Sequence, residues 1–223
     1  MTTFAHTDFN SSAYSAYRPT SHNGRFDNAL DVATGTGQVA IELSKSFKQV
    51  YAIDVSSTML QNAIKNPDIT YSISSAEDLS QFSSNSIDLV TAAQSAHWFN
   101  ITEFFKESFR VLKPQGTLAI WAYGQNILRD YPDFKHLTKK FVEDEFRTYW
   151  SKELDTIGNF YRDFKFPEEM FQTVKWEIYD ANPNSPDPID KHIADLTQLF
   201  GWKDNEVLQI HWQSVLILAE KRS

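Results

Sequence analysis

The stretch Asp31-Val-Ala-Thr-Gly35-Thr-Gly37-Gln-Val-Ala40 decides the fold of this chain. The apolar segment Ala29 to Thr34 leads into two of only seven glycines among the 223 residues. Glycine accepts positive φ and has no Cβ, so it permits a sharp turn that lies close to a ligand. Val39, Leu43 and Phe47 then recur at helical spacing. A strand, a glycine turn and a helix in this order predict a ligand at the N-terminus of the helix.

Strand and helix patterns alternate along the first half of the chain. The predicted strands are 29–34, 49–54, 69–74, 86–93 and 117–123, and the predicted helices are 38–47, 57–66 and 100–112. This alternation predicts an α/β fold: a Rossmann-like, doubly wound, mainly parallel sheet with helices on both faces. Weaker patterns add helices within 134–150 and 190–200, and two final strands at 172–179 and 207–218, which makes seven strands.

The composition excludes several classes of protein. Hydrophobic residues make up 41% and charged residues 22% of the chain, as in an ordinary globular protein. The absence of cysteine from the sequence excludes disulfides, zinc–thiolate sites and cysteine nucleophiles. A net charge of −8 disfavours nucleic-acid binding, which needs clustered Lys and Arg. The sequence has neither the apolar start of a signal peptide nor a run of roughly twenty apolar residues, so we expect a cytoplasmic protein without membrane contact.

Two acids beside the glycine turn bear on the kind of ligand. Asp54 ends the second predicted strand, where an acid can bind the ribose hydroxyls of either a dinucleotide or S-adenosylmethionine. Asp31, four residues before Gly35, would repel the pyrophosphate of a dinucleotide and attract the ammonium group of a methionine moiety. No Lys or Arg lies between Arg25 and Lys45 to balance a phosphate. The electrostatics therefore favour S-adenosylmethionine as the cofactor.

Several separate segments place the chain near a known family. It resembles class I S-adenosylmethionine-dependent methyltransferases from Phe9 to Tyr123, through the segments DVATGTG (31–37), IDVS-x-x-M (53–59), SAEDL (75–79) and FRVLKPQGTLAIW (109–121). Two further motifs, Tyr14-x-x-x-Arg18-Pro19 and AQSAHWF (93–99), resemble the type 11 subgroup that includes trans-aconitate methyltransferase of fungi. The resemblance implies that the last of the seven strands inserts antiparallel.

The resemblance also implies which residues bind each part of the cofactor. The methionine end would be bound by Asp31, Gly35, Gly37 and Gln94. The ribose would be bound by Asp54, and the adenine by Val55, Met59, Ala76 and Glu77. Tyr14 and Arg18 would form an N-terminal lid, in which Arg18 can pair with a carboxylate of cofactor or substrate. A single methyltransferase domain would cover 1–223, as a lid segment (1–28), a cofactor-binding core (29–123) and a substrate-covering region with the final strands (124–223).

The substrate side is implied around the end of the fourth strand. His97 is the candidate catalytic residue, as a substrate contact or a general base, and Trp98, Trp121 and Tyr123 are candidate walls of the substrate pocket. The expected reaction moves the sulfonium methyl to an oxygen of a small molecule. We favour a carboxylate acceptor, because it is ionised at neutral pH and needs no base. The six histidines are scattered without ligand spacing, so no metal site is predicted.

Other interpretations stay open from the sequence. A nicotinamide-dependent oxidoreductase uses a similar strand–glycine–helix scaffold, and a cofactor-binding module without turnover would share the site. We expect a monomer or weak homodimer. Ala33-Thr34 stands where many family members carry Gly-Cys or Gly-Thr. Only nine residues, Thr20 to Asn28, separate Pro19 from the first predicted strand. That is too few for the lid helix that related enzymes have. Either segments are missing from the sequence or the enzyme is minimal.

Overall fold

The computed structural model describes residues 26–128, 152–180 and 210–222. The strands in these ranges are β1 Phe26–Val32, β2 Phe47–Asp54, β3 Ile69–Ile73, β4 Ile87–Ala93, β5 Leu112–Leu128, β6 Phe171–Asp180 and β7 Ile210–Lys221. The helices are α1 Gln38–Ser44, α2 Ser57–Gln61, α3 Ile101–Val111 and α4 Lys152–Gly158, with a short 3₁₀ turn at Ala96–Trp98. The helices predicted within 134–150 and 190–200 lie outside the described residues.

The seven strands form one sheet in the order β3-β2-β1-β4-β5-β7-β6. Strands β1 to β5 run parallel, whereas β7 runs antiparallel between β5 and β6. The predicted α/β fold, with its mainly parallel sheet and antiparallel last strand, is confirmed. The chain builds from β1 through β2 to β3, and then returns to the other side of β1 with β4. Such a switch point leaves a crevice at the carboxyl ends of β1 and β4, where ligands bind in open α/β sheets.

Apolar side chains bury both faces of the sheet. Helix α3 covers one face, where Phe104 belongs to the same buried cluster as Leu30 of β1. Helix α1 covers part of the other face, where Leu43 belongs to a cluster with Ala29 of β1. Neighbouring residues of a strand therefore enter different cores, as expected when a parallel sheet is covered on both sides.

Helix α2 is shorter than the sequence predicted. It ends at Gln61 instead of continuing to Asn66. The backbone N–H of Ile64 donates to the carbonyl of Thr36 in the glycine turn, at 3.0 Å, rather than to a carbonyl of its own helix. The segment after α2 is thereby tied to the turn that it was not predicted to touch.

Strand β5 begins earlier than the sequence predicted. Pro114 indicates a turn, yet the strand starts at Leu112, directly after α3. Residues 113–116 fall between the register pairs Ile87–Leu112 and Leu89–Thr117, so they form a bulge rather than a separate loop. A bulge accommodates proline, because its residues need not donate to the sheet. None of the helices in the described ranges is long and apolar enough to span a membrane.

Candidate cofactor-binding site

The glycine turn between β1 and α1 has the left-handed backbone expected of it. Gly35 and Gly37 have φ of 59° and 88°. The Gly37 N–H donates to the Thr34 carbonyl at 3.0 Å, which closes the turn. The Gly35 N–H donates to Oδ2 of Asp54 at 2.8 Å and so links the turn to the end of β2. Ala33 also lies at positive φ, 55°, although it carries a Cβ.

The two glycines of the turn meet different surroundings. A Cβ on Gly37 would collide with the hydroxyl oxygen of Tyr71, which itself donates to the Ile64 carbonyl at 2.8 Å. A Cβ on Gly35 would meet no described atom within 4 Å. Gly37 is therefore required by packing within the protein, whereas Gly35 faces open space at the crevice. An open face on a left-handed glycine is the geometry of a backbone that a ligand approaches closely.

Asp31 lies beneath the turn rather than in the crevice. Its side chain is 1% exposed. Its two carboxylate oxygens accept from the hydroxyls of Thr34, at 2.5 Å, and Thr91, at 2.7 Å. Burial raises the pKa of Asp31 to about 6, against the lowering effect of both threonine hydrogen bonds. Its charge therefore reaches a ligand through the field and through the Thr34 hydroxyl, not by direct contact.

Asp54 organises the end of β2. Its Oδ1 accepts from the Ser56 N–H and its Oδ2 from the Gly35 N–H, both at 2.8 Å. Each oxygen retains a lone pair for a further donor such as a ribose hydroxyl. Three apolar side chains beside it are exposed: Val55, Met59 and Ile73, of which Ile73 is the register partner of Asp54 on β3. The carboxylate and this apolar surface together suit a nucleoside.

The predicted adenine-edge residues lie in the segment between β3 and β4. Ala76 is buried and belongs to the core cluster under α3. Glu77 accepts from the backbone N–H of Asn100 through Oε1, at 2.8 Å. Asn100 is the N-cap of α3. Glu77 therefore joins this segment to the start of α3, and that role was not predicted from the sequence.

Gln94 closes the carboxyl end of β4 in a strained conformation. Its φ is 53°, and its backbone N–H donates to the Trp121 carbonyl at 2.9 Å. Its side-chain Nε2 is buried without a hydrogen-bond partner in the described part of the chain, as is Oγ of the adjacent Ser95. A buried amide without a partner is costly, which makes Gln94 a candidate hydrogen-bond donor to a ligand.

His97 lies in the 3₁₀ turn after β4 and is largely buried. Its Nδ1 is 3.0 Å from the hydroxyl of Tyr161, which the sequence did not indicate as a site residue. Burial lowers the pKa of His97, so the imidazole is neutral at pH 7. The neighbouring Trp98 is 57% exposed, with its ring centroid 4.9 Å from that of His97.

The other predicted pocket residues lie on β5 or beyond the described ranges. Trp121 is partly buried against the cluster under α1. Burial raises the pKa of Tyr123, two residues further along the strand. Tyr14 and Arg18, predicted to form the lid, lie outside the described residues. The structure thus places Gly35, Asp54 and Gln94 at the carboxyl ends of three neighbouring strands, whereas Asp31 and Ala76 are buried below them.

Comparison with known proteins identifies the domain. Residues 30–120 match the sequence model of a family described as a methyltransferase domain. A candidate methyltransferase of Dictyostelium discoideum is 34% identical over 167 residues, which cover 70% of this chain and 63% of that protein. Residues 30–120 therefore form a methyltransferase domain, similar to those of S-adenosylmethionine-dependent methyltransferases. CRG1, a candidate S-adenosylmethionine-dependent methyltransferase of Saccharomyces cerevisiae, is 26% identical over 287 aligned positions that cover 99% of both chains.

A solved structure shows the same fold as the methyltransferase domain. A candidate type II methyltransferase of Anaeromyxobacter dehalogenans superposes with a TM-score of 0.62 and 21% identity, covering 90% of this chain and 98% of that one. The cofactor of the methyltransferase domain is S-adenosylmethionine. The open face of Gly35, the unpartnered amide of Gln94 and the exposed apolar surface beside Asp54 fit that molecule.

Four residues that contact or neighbour candidate site residues were not predicted from the sequence: Thr91, Tyr71, Ile73 and Tyr161. Thr91 and Tyr161 are 60 and 64 residues from the side chains that they contact, Asp31 and His97. No local pattern reports such pairs. Ile73 could have been found, because it is the last apolar residue of the predicted strand 69–74, the strand that follows Asp54.

Proposed function

We propose that this protein transfers the methyl group of S-adenosylmethionine to a carboxylate oxygen of a small molecule. The observation that carries the proposal is that the possible bases at the crevice, Asp31, Asp54 and His97, already make hydrogen bonds within the protein. A hydroxyl acceptor needs a base, and both carboxylates beside the crevice and one ring nitrogen of His97 already have hydrogen-bond partners. Asp31 is buried under two threonine hydroxyls, Asp54 holds two backbone N–H groups, and the Nδ1 of His97 faces Tyr161. A carboxylate acceptor, already ionised, needs no base.

In the proposed mechanism the protein supplies alignment. When bound, the cofactor supplies an activated methyl group on sulfur. The acceptor oxygen forms the new C–O bond as the S–C bond breaks, and that electron pair stays on sulfur. Gln94 would fix the methionine end, Asp54 would fix the ribose, and His97 with Trp98 would orient the acceptor. Holding the reactants in line accounts for roughly 7–11 kcal/mol of barrier lowering in well-aligned reactions.

The finer features of the sequence analysis belong to the same proposal. The chain would be one methyltransferase domain of the subgroup that includes trans-aconitate methyltransferase. Tyr14 and Arg18 would close over the crevice, and Arg18 would pair with a carboxylate of cofactor or substrate. The chain spans 63% of the length of its Dictyostelium relative, so its acceptor and its activity need direct measurement.

The test is transfer of isotope-labelled methyl from S-adenosylmethionine to a panel of mono-, di- and tricarboxylic acids, with the matching alcohols as controls. A methyl ester releases its label as methanol in base, whereas a methyl ether, amine or C-methyl product retains it. We expect base-labile label from at least one acid. Base-stable label would contradict the carboxylate acceptor. Binding of S-adenosylhomocysteine without transfer to any compound would support a module without turnover.

A glycine pair makes the cofactor site itself testable. Gly35→Ala adds a methyl group on the open face of the turn, so we expect the affinity for S-adenosylhomocysteine to fall by at least about tenfold in calorimetric titration. Gly158→Ala, at the end of α4, is the control for the added methyl group, because a Cβ there also meets no described atom within 4 Å. The strain of a Cβ at φ 59° in Gly35→Ala is measured separately, by thermal melting without ligand. Equal affinities of the two variants would contradict a ligand at Gly35. NADH, titrated in parallel, should not bind.

A further inference from the structure

His97 and Tyr161 form a buried polar pair on the core side of the 3₁₀ turn. Nδ1 of His97 lies 3.0 Å from the Tyr161 hydroxyl, and the two rings lie within 21° of parallel. Tyr161 is fully buried and stacks on Phe164, with ring centroids 4.7 Å apart. A phenylalanine would fill the same apolar volume without a buried polar group that needs a hydrogen bond. The hydroxyl is therefore what tyrosine contributes at this position.

The backbone around Tyr161 is strained in a way that aims its ring. Phe160 and Tyr161 both have positive φ, 53° and 57°, directly after α4. Aromatic residues rarely adopt this conformation, and such outliers persist where the surrounding structure fixes them. Here the turn carries Tyr161 into the core beneath His97. The pair therefore joins the described residues after α4 to the end of β4.

We propose that Tyr161 is a positioning residue that donates its hydroxyl proton to Nδ1 of His97 and so holds the imidazole proton on Nε2. A neutral imidazole carries one N–H and one acceptor nitrogen. The hydroxyl oxygen already receives a hydrogen bond from the backbone of His97, which lowers the pKa of Tyr161 against the larger, raising effect of burial. Within the described ranges, Nδ1 of His97 is the side-chain hydrogen-bond partner of this fully buried hydroxyl, so Nδ1 is the acceptor available for the phenol proton.

The charged surroundings of His97 agree with this assignment. Glu153 of α4 is the acidic group in the described ranges that acts on His97, and it raises the pKa of the imidazole against the larger, lowering effect of burial. A carboxylate suits a ring nitrogen that bears a proton and disfavours one that presents a lone pair. Glu153 therefore favours proton binding to the imidazole as a whole, and the contact with Tyr161 selects the nitrogen that carries the proton.

The role of this tautomer in catalysis rests on the proposed function, methyl transfer to a carboxylate. An Nε2–H is a hydrogen-bond donor, so His97 would hold a carboxylate oxygen of the acceptor in line with the methyl group. It could not take a proton from an acceptor hydroxyl, because its lone pair on Nδ1 is engaged by Tyr161. With this tautomer, His97 would favour an acid over an alcohol as the methyl acceptor.

The experiment is long-range ¹⁵N–¹H NMR of the full chain labelled on histidine, with the His97 signals assigned by their loss in His97→Gln. We expect one unprotonated and one protonated ring nitrogen, with the proton on Nε2. A proton on Nδ1 would overturn the proposal. This measurement uses the wild-type protein and needs no folded variant.

A pH titration of the same signals in Tyr161→Phe gives a second, independent readout. If Tyr161 donates to Nδ1, it stabilises the neutral imidazole, and its removal raises the pKa of His97. If Tyr161 instead accepts from Nδ1–H, its removal lowers that pKa, which would contradict the proposal. Tyr51→Phe is the matched control, since Tyr51 packs against the same core cluster; the pKa of His97 should not move.

The proposed function can fail separately from this assignment. S-adenosylhomocysteine is added to the same wild-type and Tyr161→Phe samples, and its affinity should change by less than about threefold, because Tyr161 lies on the core side of His97. Absence of binding to the wild-type protein would defeat the proposed function and leave the tautomer result standing. A tenfold loss in Tyr161→Phe, with the His97 tautomer unchanged, would show that Tyr161 acts on the fold and overturn its positioning role.

Discussion

Ala33 occupies a backbone conformation that glycine would adopt at lower cost. Its φ of 55° places its Cβ close to the carbonyl oxygen, and the free energy of this strain is about 1 kcal/mol. In the segment DVATGTG, every second residue from 33 to 37 therefore has a left-handed backbone. The departure from the Gly-Thr or Gly-Cys of other family members carries a stability cost but keeps the geometry of the turn.

We predict that Ala33→Gly increases the free energy of unfolding by about 1 kcal/mol, because it relieves this strain. Chemical denaturation measures the change. Ala40→Gly is the matched control: Ala40 lies in α1 with ordinary helical backbone, so the same substitution should destabilise by about 1 kcal/mol. Destabilisation by both substitutions would show that Ala33 is not strained in solution.

Asp31 carries a charge that favours the cofactor and disfavours the unliganded fold. Its folded-state pKa of about 6 lies above the reference value of 3.8, chiefly because of burial. Between these values the native state binds a proton that the unfolded chain has released. The contribution of Asp31 to stability is therefore full below about pH 4 and is lost as the pH rises through 6.

We predict that Asp31→Asn stabilises the unliganded protein at pH 7.5 by up to about 3 kcal/mol, since each pKa unit corresponds to about 1.4 kcal/mol. The same variant should bind S-adenosylhomocysteine more weakly, because the charge that attracts the ammonium group is gone. Wild-type affinity should likewise weaken as the pH falls below 6, as Asp31 becomes protonated. Thermal melting and calorimetry at pH 5 and 7.5 measure both. Asp68→Asn is the control: Asp68 is exposed, so neither the stability nor the affinity should change. If Asp31→Asn proves less stable than the wild-type protein, burial of the Asp31 charge does not destabilise the fold.

At the scale of elements, the end of β7 is fastened to the end of α3. Nζ of Lys221 donates to Oδ1 of Asn85 at 2.6 Å and to the carbonyl of Leu112, the C-cap of α3, at 2.8 Å. It also lies 4.5 Å from the ring centroid of Phe109. These contacts hold the C-terminal end of β7 on the side of the sheet where the parallel strands begin, away from the crevice. Burial lowers the pKa of the lysine, as expected for an ammonium group in a core.

We predict that Lys221→Met destabilises the protein by about 1–3 kcal/mol, because the Leu112 carbonyl and the Asn85 side chain lose their buried donor. Methionine keeps the apolar stem, so little packing is lost. Lys48→Met is the control: Lys48 forms an exposed ion pair with Asp27, and its loss should cost less than about 1 kcal/mol. Urea denaturation compares the two, and equal costs would mean that the Lys221 contacts contribute nothing beyond a surface ion pair.

The existence and type of the elements followed from their sequence patterns, but some of their bounds did not. The apolar spacing of α3 predicted its bounds to within one residue, whereas β1 begins at Phe26 rather than Ala29 and α1 ends at Ser44 rather than Phe47. The extra turn expected for α2 is absent, because Ile64 bonds to Thr36 instead. Pro114 indicated a break, and the chain absorbs it as a bulge within β5. In both cases a partner from another element decided where the element ends.

At the scale of the whole molecule, the sheet order brings three separate segments to one crevice. Residues 33–37 follow β1, 54–59 follow β2, and 93–98 follow β4, and these strands are neighbours in the sheet. In the proposed function, the cofactor would contact all three segments at once. Its binding energy adds to the stability of the whole domain, by about 2.7 kcal/mol at one hundred times the dissociation constant.

We predict that S-adenosylhomocysteine slows amide hydrogen exchange in all three segments together, and leaves β6 unaffected except through global unfolding. Hydrogen exchange followed by mass spectrometry, with and without ligand, measures this. NADH is the control and should protect none of them. Protection confined to one segment, or centred on β6, would place the ligand away from the switch point.

The sequence by itself determined the alternation of strands and helices, the left-handed glycine turn, and the two acids at the ends of β1 and β2. These features depend on residue spacing and on backbone chemistry within a few positions, which a local pattern contains. Only the tertiary structure decided that Tyr71 requires Gly37, that Thr91 covers Asp31 and that Tyr161 faces His97. Those contacts join residues up to 64 positions apart, and they exist because the sheet order and a strained turn bring their side chains together.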